Sequence, residues 1–417
     1  MDAPADLRRL FDAAVAACHP ARLVPGALPA RPVGRIIVVG AGKASAAMAA
    51  AVEAAWGPPL TGIVVTRYGH SVPMKHIEIV EAGHPLPDSA GAEAARRALE
   101  LVSGLSADDF VLVLLSGGGS ALWSAPLAPL TLAEKQALTR ALVLSSASIQ
   151  EINCVRKHLS AIKGGRLAAT AYPARVLALA ISDVAGDDPS VIASGPCVGD
   201  ATTQGDARAI LAKYAIDVPA NATLVLATLA SESVKPDDAR LSSSACRIVA
   251  RSADALAAAA DAAHAMGWDT KLIGVNLEGD ARQVARVQAE IALHMPRGPR
   301  PMVLLSGGEL TLHVAGAGRG GPNREYLLAL AQALGGAHGI WAFAADTDGI
   351  DGNDDTAGAW IAPDTLAQAK ALGLDPRASA GDNDAGGFFA ALGHAVVTGP
   401  TRTNVNDFRA ILIEAGV

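Results

Sequence analysis

Residues 111–120 read V-L-V-L-L-S-G-G-G-S. Five apolar residues, mostly branched, run without a polar interruption, the pattern of a strand buried on both faces of a parallel sheet. Ser116, Gly117, Gly118 and Gly119 then release the backbone to positive φ, so that N–H groups as far as Ser120 can approach a ligand closely. N–H groups left unpaired at the carboxyl end of a strand form an anion site. A glycine turn in any α/β protein reads the same way, and this stretch alone does not separate the two. Residues 302–309 repeat the pattern as M-V-L-L-S-G-G-E, a second apolar strand leaving through Ser306, Gly307, Gly308 and Glu309. Two such exits predict an α/β protein with two glycine-rich lips of one cleft.

A length of 417 residues allows two or three domains, each with a real core. Alanine accounts for much of the 51% hydrophobic fraction, and aromatics are only 4%. The longest alanine-rich stretches carry Glu53, Asp254, Asp261 and His264, so neither spans a membrane. A net charge of −7 argues against a general nucleic-acid binder. The first residues, Met-Asp-Ala-Pro, precede no basic region with an apolar run, so no export signal is predicted. Four scattered cysteines without a C-x-x-C pair predict reduced thiols in a cytoplasmic protein and no structural zinc. A homodimer is compatible with the sequence, which does not fix the oligomeric state.

Along the chain, an amphipathic helix is predicted over 6–17 and a Pro/Gly-rich link over 25–32. Strand 35–39 then meets Gly40-Ala41-Gly42-Lys43-Ala44-Ser45 and an alanine-rich helix. The arrangement approaches a dinucleotide fingerprint, yet Ser45 holds the third glycine position. The next strand, 62–66, ends at Thr66-Arg67 with no acid for a ribose. A Walker loop is excluded, because one residue separates Gly40 from Gly42-Lys43. What remains is a lysine in a glycine turn at a helix start, where an ammonium can meet an anionic group; the plainer alternative is a solvated lysine.

Helices are predicted over 131–145 and 148–169. The second carries Asn153, Arg156, Lys157 and His158, with Arg156 and Lys163 two turns apart on one side. A basic helical face is normally just solvated; behind a phosphate loop it can neutralise charge. Strand 176–181 leaves through Ser182 to Ser190, offering Asp183, Asp187 and Asp188 where ligands of open α/β sheets sit. One of these acids is expected to cap a turn and one or two to face a metal.

The polar, turn-rich stretch 200–241 predicts a domain boundary, giving an N-terminal domain over 31–235 and a C-terminal one over 236–417. The helix at 5–20 is free to pack on the latter. Strands at 246–250, 270–275, 302–305 and 340–345 alternate with helices, which predicts a second parallel or mixed sheet. A polar strand over 310–314 is expected to feed G-A-G-R-G-G-P-N-R-E, an anion cradle with Arg319, Asn323 and Arg324 before a helix. Residues 346–355 hold five aspartates. The EF-hand pattern fails, since Asp351 stands where its glycine belongs and Ala357 where its glutamate belongs. An open Mg²⁺ or substrate site remains, with one or two of these carboxylates as ligands.

In order, these motifs resemble the class II glycerate 2-kinases, which many genomes label hydroxypyruvate reductases. The matching stretches are Gly40 to Ala44, Leu115 to Leu122, Arg156 to Ser160, Lys163 to Arg166, Ser182 to Pro196, Ser306 to Glu309 and Thr347 to Gly352. Thr398-Gly399-Pro400 and Thr403 to Asp407 complete the set.

The resemblance implies ATP- and Mg²⁺-dependent phosphorylation of D-glycerate on its 2-hydroxyl, giving 2-phosphoglycerate. It implies two α/β domains, the first Rossmann-like with a mostly parallel sheet and the second smaller and mixed or parallel, with the active site in the cleft between them. The family lysine falls on Lys43. Many members read G-G-R-N-Q-E where this chain reads Gly320-Gly321-Pro322-Asn323-Arg324-Glu325, so Arg324 or Arg319 must supply the charge lost at Pro322. The roles that follow are Lys43, Arg324 and Asp183 in catalysis and Asp187 and Asp351 at a metal. Ser116 to Ser120, Arg156, Lys157, Ser306 to Glu309 and Asn323 would bind substrate or phosphate. Two competing readings are an NAD(P)H-dependent hydroxypyruvate reductase, using Arg67 with His84 or His158, and a non-catalytic hydroxy-acid-binding protein.

Overall fold

The computed structural model describes residues 2–416. Uninterrupted apolar runs become the interior of a six-stranded sheet. Its strands are β1 (Ile36–Ala41), β2 (Thr61–Arg67), β3 (Ile77–Ala82), β4 (Phe110–Leu115), β5 (Arg175–Ile181) and β6 (Ser244–Ala250), ordered β3-β2-β1-β4-β5-β6. Pairings from β3 through β5 are parallel, and every residue of β1 and β4 is buried. This is the strand order of the doubly wound dinucleotide-binding fold, whose direction of winding reverses between β1 and β4. The alanine-rich helix Ser45–Trp56 buries Ala46, Met48, Ala49 and Val52, small side chains that let it lie close to the strands.

Helices Leu132–Leu144 and Ile149–His158 each open with a capping box, Thr131 with Glu134 and Ser148 with Glu151. With helix Gln204–Lys213 they close a satellite core around Leu138, Leu142, Val155 and Leu211. The predicted helix over 148–169 is broken: it stops at His158 and resumes as Arg166–Ala171. Gly164 and Gly165 between them have φ of 56° and 79°, a left-handed backbone that no α-helix can contain. Arg156 and Lys163 therefore do not share one helix.

The second sheet contains β7 (Asp269–Gly274), β8 (Met302–Gly308), β9 (Ile340–Asp346), β10 (Gly358–Ile361), β11 (Ala395–Val396) and β12 (Asp407–Ile413). Its order is β11-β10-β9-β12-β8-β7. β7 and β8 are parallel and the other pairings antiparallel, so the sheet is mixed. The strand predicted over 310–314 is absent; only Thr311 forms a single bridge, to Asp280.

The chain divides into two compact units, Pro20–Val249 and Met1–His19 with Ala250–Val417. β6 joins the first sheet although it follows the polar stretch 200–241. Part of the Pro/Gly-rich link is helical, as Pro20–Ala27. In the other unit, helix Ala3–Ala17 buries Leu7, Leu10, Phe11 and Ala14, and the Phe11 ring lies 5.4 Å from Phe343 and 5.8 Å from Phe408. Among the described residues no helix is long and apolar enough to cross a membrane.

Candidate active site

In the unit 20–249, the switch point of the parallel sheet brings together the two glycine turns singled out in the sequence. The Lys43 N–H donates to the Gly117 carbonyl at 2.8 Å, and the Ala44 N–H donates to Ser116 Oγ at 2.9 Å. Ser45, in the third glycine position, donates its hydroxyl to the Leu114 carbonyl at 3.1 Å and so fastens the helix start to β4. Gly42 has φ 147°, and a Cβ there would stand 2.1 Å from Ser116 Oγ, so only glycine lets the turns meet. Gly118 has φ 79°, and a Cβ there would lie 2.9 Å from His84 Cδ2 and 3.5 Å from Lys43 Cγ. The lysine stem thus runs along the glycine loop.

Ser120 continues the site. Its hydroxyl is 2.5 Å from Ser194 Oγ, which also donates to Asn153 Oδ1 at 3.2 Å. Ala193 and Ser194 have φ of 50° and 59°, a backbone that side-chain-bearing residues adopt only when their surroundings enforce it. The Lys163 ammonium donates to the Ser120 carbonyl at 2.8 Å. Lys157, expected at the phosphate, instead lies buried with Nζ 3.4 Å from Asp200 Oδ1. His158 is fully buried, with Nδ1 2.8 Å from the Cys154 carbonyl and Nε2 2.9 Å from Glu232 Oε1. Of Arg156, Lys157 and His158, Arg156 is the one left on no carboxylate among the described residues.

Beyond β5, Asp188 caps the turn by accepting from the Ser190 N–H at 2.8 Å and the Ser190 hydroxyl at 2.9 Å. Asp183 and Asp187 stay half-buried at the carboxyl end of the strand. Both offer hard oxygen donors that suit a divalent cation arriving with a polyphosphate.

In the other unit, the cluster forms at the start of helix Pro322–Leu334. Pro322 occupies the first turn, where its missing N–H removes no helical bond. Asp351 accepts from the N–H groups of Asn323 at 3.0 Å and Arg324 at 3.1 Å, a carboxylate at the positive end of the helix. Arg324 sends Nε to Asp351 Oδ2 at 3.0 Å and Nη1 to Asp354 Oδ2 at 2.8 Å, and Asn323 Nδ2 donates to Asp407 Oδ1 at 2.6 Å. Burial pushes the Asp351 carboxyl up to about 6, against the pull of Arg324. Burial likewise raises Asp407, opposed by Arg409. With both oxygens held by N–H donors, Asp351 does not fit a metal ion. Among the described residues no three or more His, Cys, Asp or Glu side chains gather around a metal position.

The glycine-rich cradle before that helix is filled by the protein itself. N–H groups of Ala315 and Gly316 donate to Asn383 Oδ1 at 2.7 and 3.0 Å. Those of Ala317, Arg319 and Gly320 donate to Asp382, Asp384 and Asn353 at 3.1, 3.0 and 3.2 Å. Arg319 itself is exposed. The second predicted lip differs too: Ser306, Gly307 and Gly308 are the buried end of β8, paired with Arg409, Phe408 and Asp407 of β12. A Cβ on Gly308 would stand 2.1 Å from the Leu277 nitrogen, so this glycine serves close backbone packing. Glu309 lies exposed just past the strand.

Residues 6–227 match DUF4147, described as a domain of unknown function, and residues 302–407 match the MOFRL family. A D-glycerate 2-kinase of Thermotoga maritima is 41% identical over 94% of this chain and 94% of its own length. The chain belongs to the glycerate kinase family. A crystal structure of glycerate kinase from Thermotoga maritima matches with a TM-score of 0.88 at 39% identity, covering 98% of this chain and 99% of that one. A protein of Agrobacterium vitis provisionally named a hydroxypyruvate reductase is 54% identical over 98% of this chain and 94% of its own. Ser194, which links Ser120 to Asn153, is the residue beside the 116–120 loop to which the sequence assigned no role. The signal for Ser194 was local: Ala193-Ser194-Gly195-Pro196 closes the acidic exit of β5.

Proposed function

We propose that this chain transfers the γ-phosphoryl group of ATP to the 2-hydroxyl of D-glycerate, giving 2-phosphoglycerate and ADP. The observation that carries the reading is the pair of interlocked glycine turns at the β1/β4 switch point, with Lys43 along the loop that starts at Ser116. In the transfer, the 2-hydroxyl oxygen forms a bond to the γ-phosphorus while the bond to the bridging oxygen breaks, ADP leaves with that electron pair, and the hydroxyl proton is released to solvent. Such a reaction asks the protein mainly for positioning and charge neutralisation. Lys43 is assigned to the transferring phosphoryl oxygens, and the N–H groups of the 116–120 loop to holding an anionic group. Asp183 is assigned to orienting the hydroxyl. Arg156, free of carboxylate partners among the described residues, is assigned to an anionic end of a substrate. Asp183 and Asp187 would hold Mg²⁺, whose chemistry is to neutralise phosphate oxygens. Arg324, held on Asp351 and Asp354, is assigned to positioning the Asp351 loop.

The reductase reading needs a histidine acid at the substrate; His158 has both ring nitrogens engaged in the interior, which leaves His84, beside the Gly118 turn, as its candidate acid. The test is one assay of purified protein with D-glycerate, ATP and Mg²⁺, following ADP release and identifying the phosphoglycerate isomer. A parallel reaction holds hydroxypyruvate with NADH or NADPH. ADP with 2-phosphoglycerate is expected; 3-phosphoglycerate would overturn the regiochemistry, and nicotinamide oxidation without ADP would overturn the kinase.

A further inference from the structure

Lys135 lies on helix Leu132–Leu144 at the helical spacing of Leu138 and Leu142, the face that packs into the satellite core. It is 5% exposed, and its ammonium has no hydrogen-bond partner among the described residues. Burying an amine without a partner is strongly unfavourable, so such a group is retained where something else meets it.

Two further cations stand with it. Lys163 is 1% exposed, and its ammonium, which has three N–H donors, makes one hydrogen bond among the described residues, to the Ser120 carbonyl. Arg156, on the helix packed against that of Lys135, makes no ion pair among the described residues. The carboxylates of the region are engaged elsewhere. Asp200 faces Lys157, Glu232 faces His158 and Lys235, and Glu134 caps its own helix and binds Asn221. Burial and the repulsion of Arg156 and Arg166 hold Lys135 down to about 7, and burial with Lys135 and Arg156 nearby holds Lys163 well below its usual value. Lys163 thus lies directly behind Ser120, Lys135 and Arg156 are close enough to repel it, and none of the three is paired with a carboxylate among the described residues.

We propose that Lys135, Arg156 and Lys163 form a buried subsite behind the Ser116–Ser120 loop for a compact oxyanion, either a substrate carboxylate or a phosphoryl group. The inference deepens the kinase reading, on which it rests for the identity of the oxyanion. Lys163 fixes the loop carbonyl and keeps donors for the ligand, Arg156 supplies a planar fork, and Lys135 supplies a point charge that is neutralised only when the subsite is filled.

The test is calorimetric titration of the full chain with D-glycerate, ADP and inorganic phosphate separately, for wild type, Lys135→Met and Arg156→Gln. Lys135→Met replaces a buried amine with an apolar side chain of similar length and is expected to fold; Arg156→Gln, half-buried, is the check if it does not. The proposal predicts at least a tenfold loss of affinity in both variants for one ligand class with the other unchanged. A loss confined to glycerate assigns a carboxylate, and a loss confined to ADP and phosphate assigns a phosphoryl group. Wild type binding none of the three, variants that bind all three as wild type does, or an equal loss for all ligands overturns the subsite. Separately, 2-phosphoglycerate formation by wild type and Lys135→Met with equal KM would sink the subsite and leave the kinase standing. Oxyanion binding that depends on Lys135 without phosphoglycerate formation would do the reverse.

Discussion

Arg324 and Asp351 meet in the interior with Nε 3.0 Å from Oδ2, and the same carboxylate also receives two N–H groups of the helix that carries the arginine. The pair thereby welds a helix start to the loop after β9. Removing one partner of a buried pair leaves the other charge uncompensated, at a cost of about 3–5 kcal/mol. Arg324→Ala is expected to lower unfolding stability by about that amount in urea titrations. A loss below about 1 kcal/mol would mean that the backbone N–H groups alone satisfy Asp351.

Lys43→Ala addresses the chemistry. Loss of one charge-stabilising donor at a transferring group lowers kcat by about 10²–10³-fold. The expected result is that loss in the coupled ADP assay with an unchanged circular dichroism spectrum. Near-normal turnover would remove Lys43 from the mechanism.

Gly42→Ala places a methyl group against Ser116, both its hydroxyl and its carbonyl. Backbone strain of this kind costs of order 1–3 kcal/mol. The turn is expected to yield and carry Lys43 with it, so the midpoint in urea falls and kcat falls together. A variant with lowered stability and intact kcat would separate the turn from the catalytic position.

Lys135 gives a pH signature. Its folded value of about 7 lies below the ordinary 10.5, so between those limits the unfolded chain holds a proton that the folded chain does not. Stability of the unliganded protein therefore rises as pH climbs from about 7 toward 10.5 and is lost as pH falls back. Lys135→Met lacks this dependence. The variant is expected to be the more stable at pH 7, by a margin that narrows toward pH 10, as followed by thermal melting of both proteins in matched buffers. A constant margin would show that Lys135 stays charged when folded.

The centre of the first sheet, β2, β1, β4 and β5, was legible because these strands are largely buried on both faces and carry nearly unbroken apolar runs. The meeting of Gly42-Lys43 with Ser116 to Gly119 was not: the repeated apolar exits paired Ser116 with Ser306 instead, because an apolar run does not state which strand lies beside it. β12 was not legible, since Arg409 interrupts its apolar run. That arginine is held by Asp407, two residues back on its own strand, at 2.9 Å and by the Gly308 carbonyl of β8 at 2.8 Å. The filled cradle at 315–320 was equally hidden. A glycine-rich loop looks the same whether its N–H groups await a phosphate or already bind Asp382, Asn383 and Asp384, which lie more than sixty positions away. The broken helix at His158 was signalled by Gly164-Gly165, and Lys135 by a charged residue at an apolar spacing.

β12 lies between β8 and β9 although it follows both in the chain. During synthesis the unit of residues 20–249 is already whole while β8 and β9 still lack the strand that joins them. Until residues 407–413 leave the ribosome, two apolar strand edges stand open and helix Ala3–Ala17 has only part of its seat. The second unit is therefore the stretch of this protein most dependent on chaperone cover, and the one in which a stalled or truncated chain is most prone to aggregate.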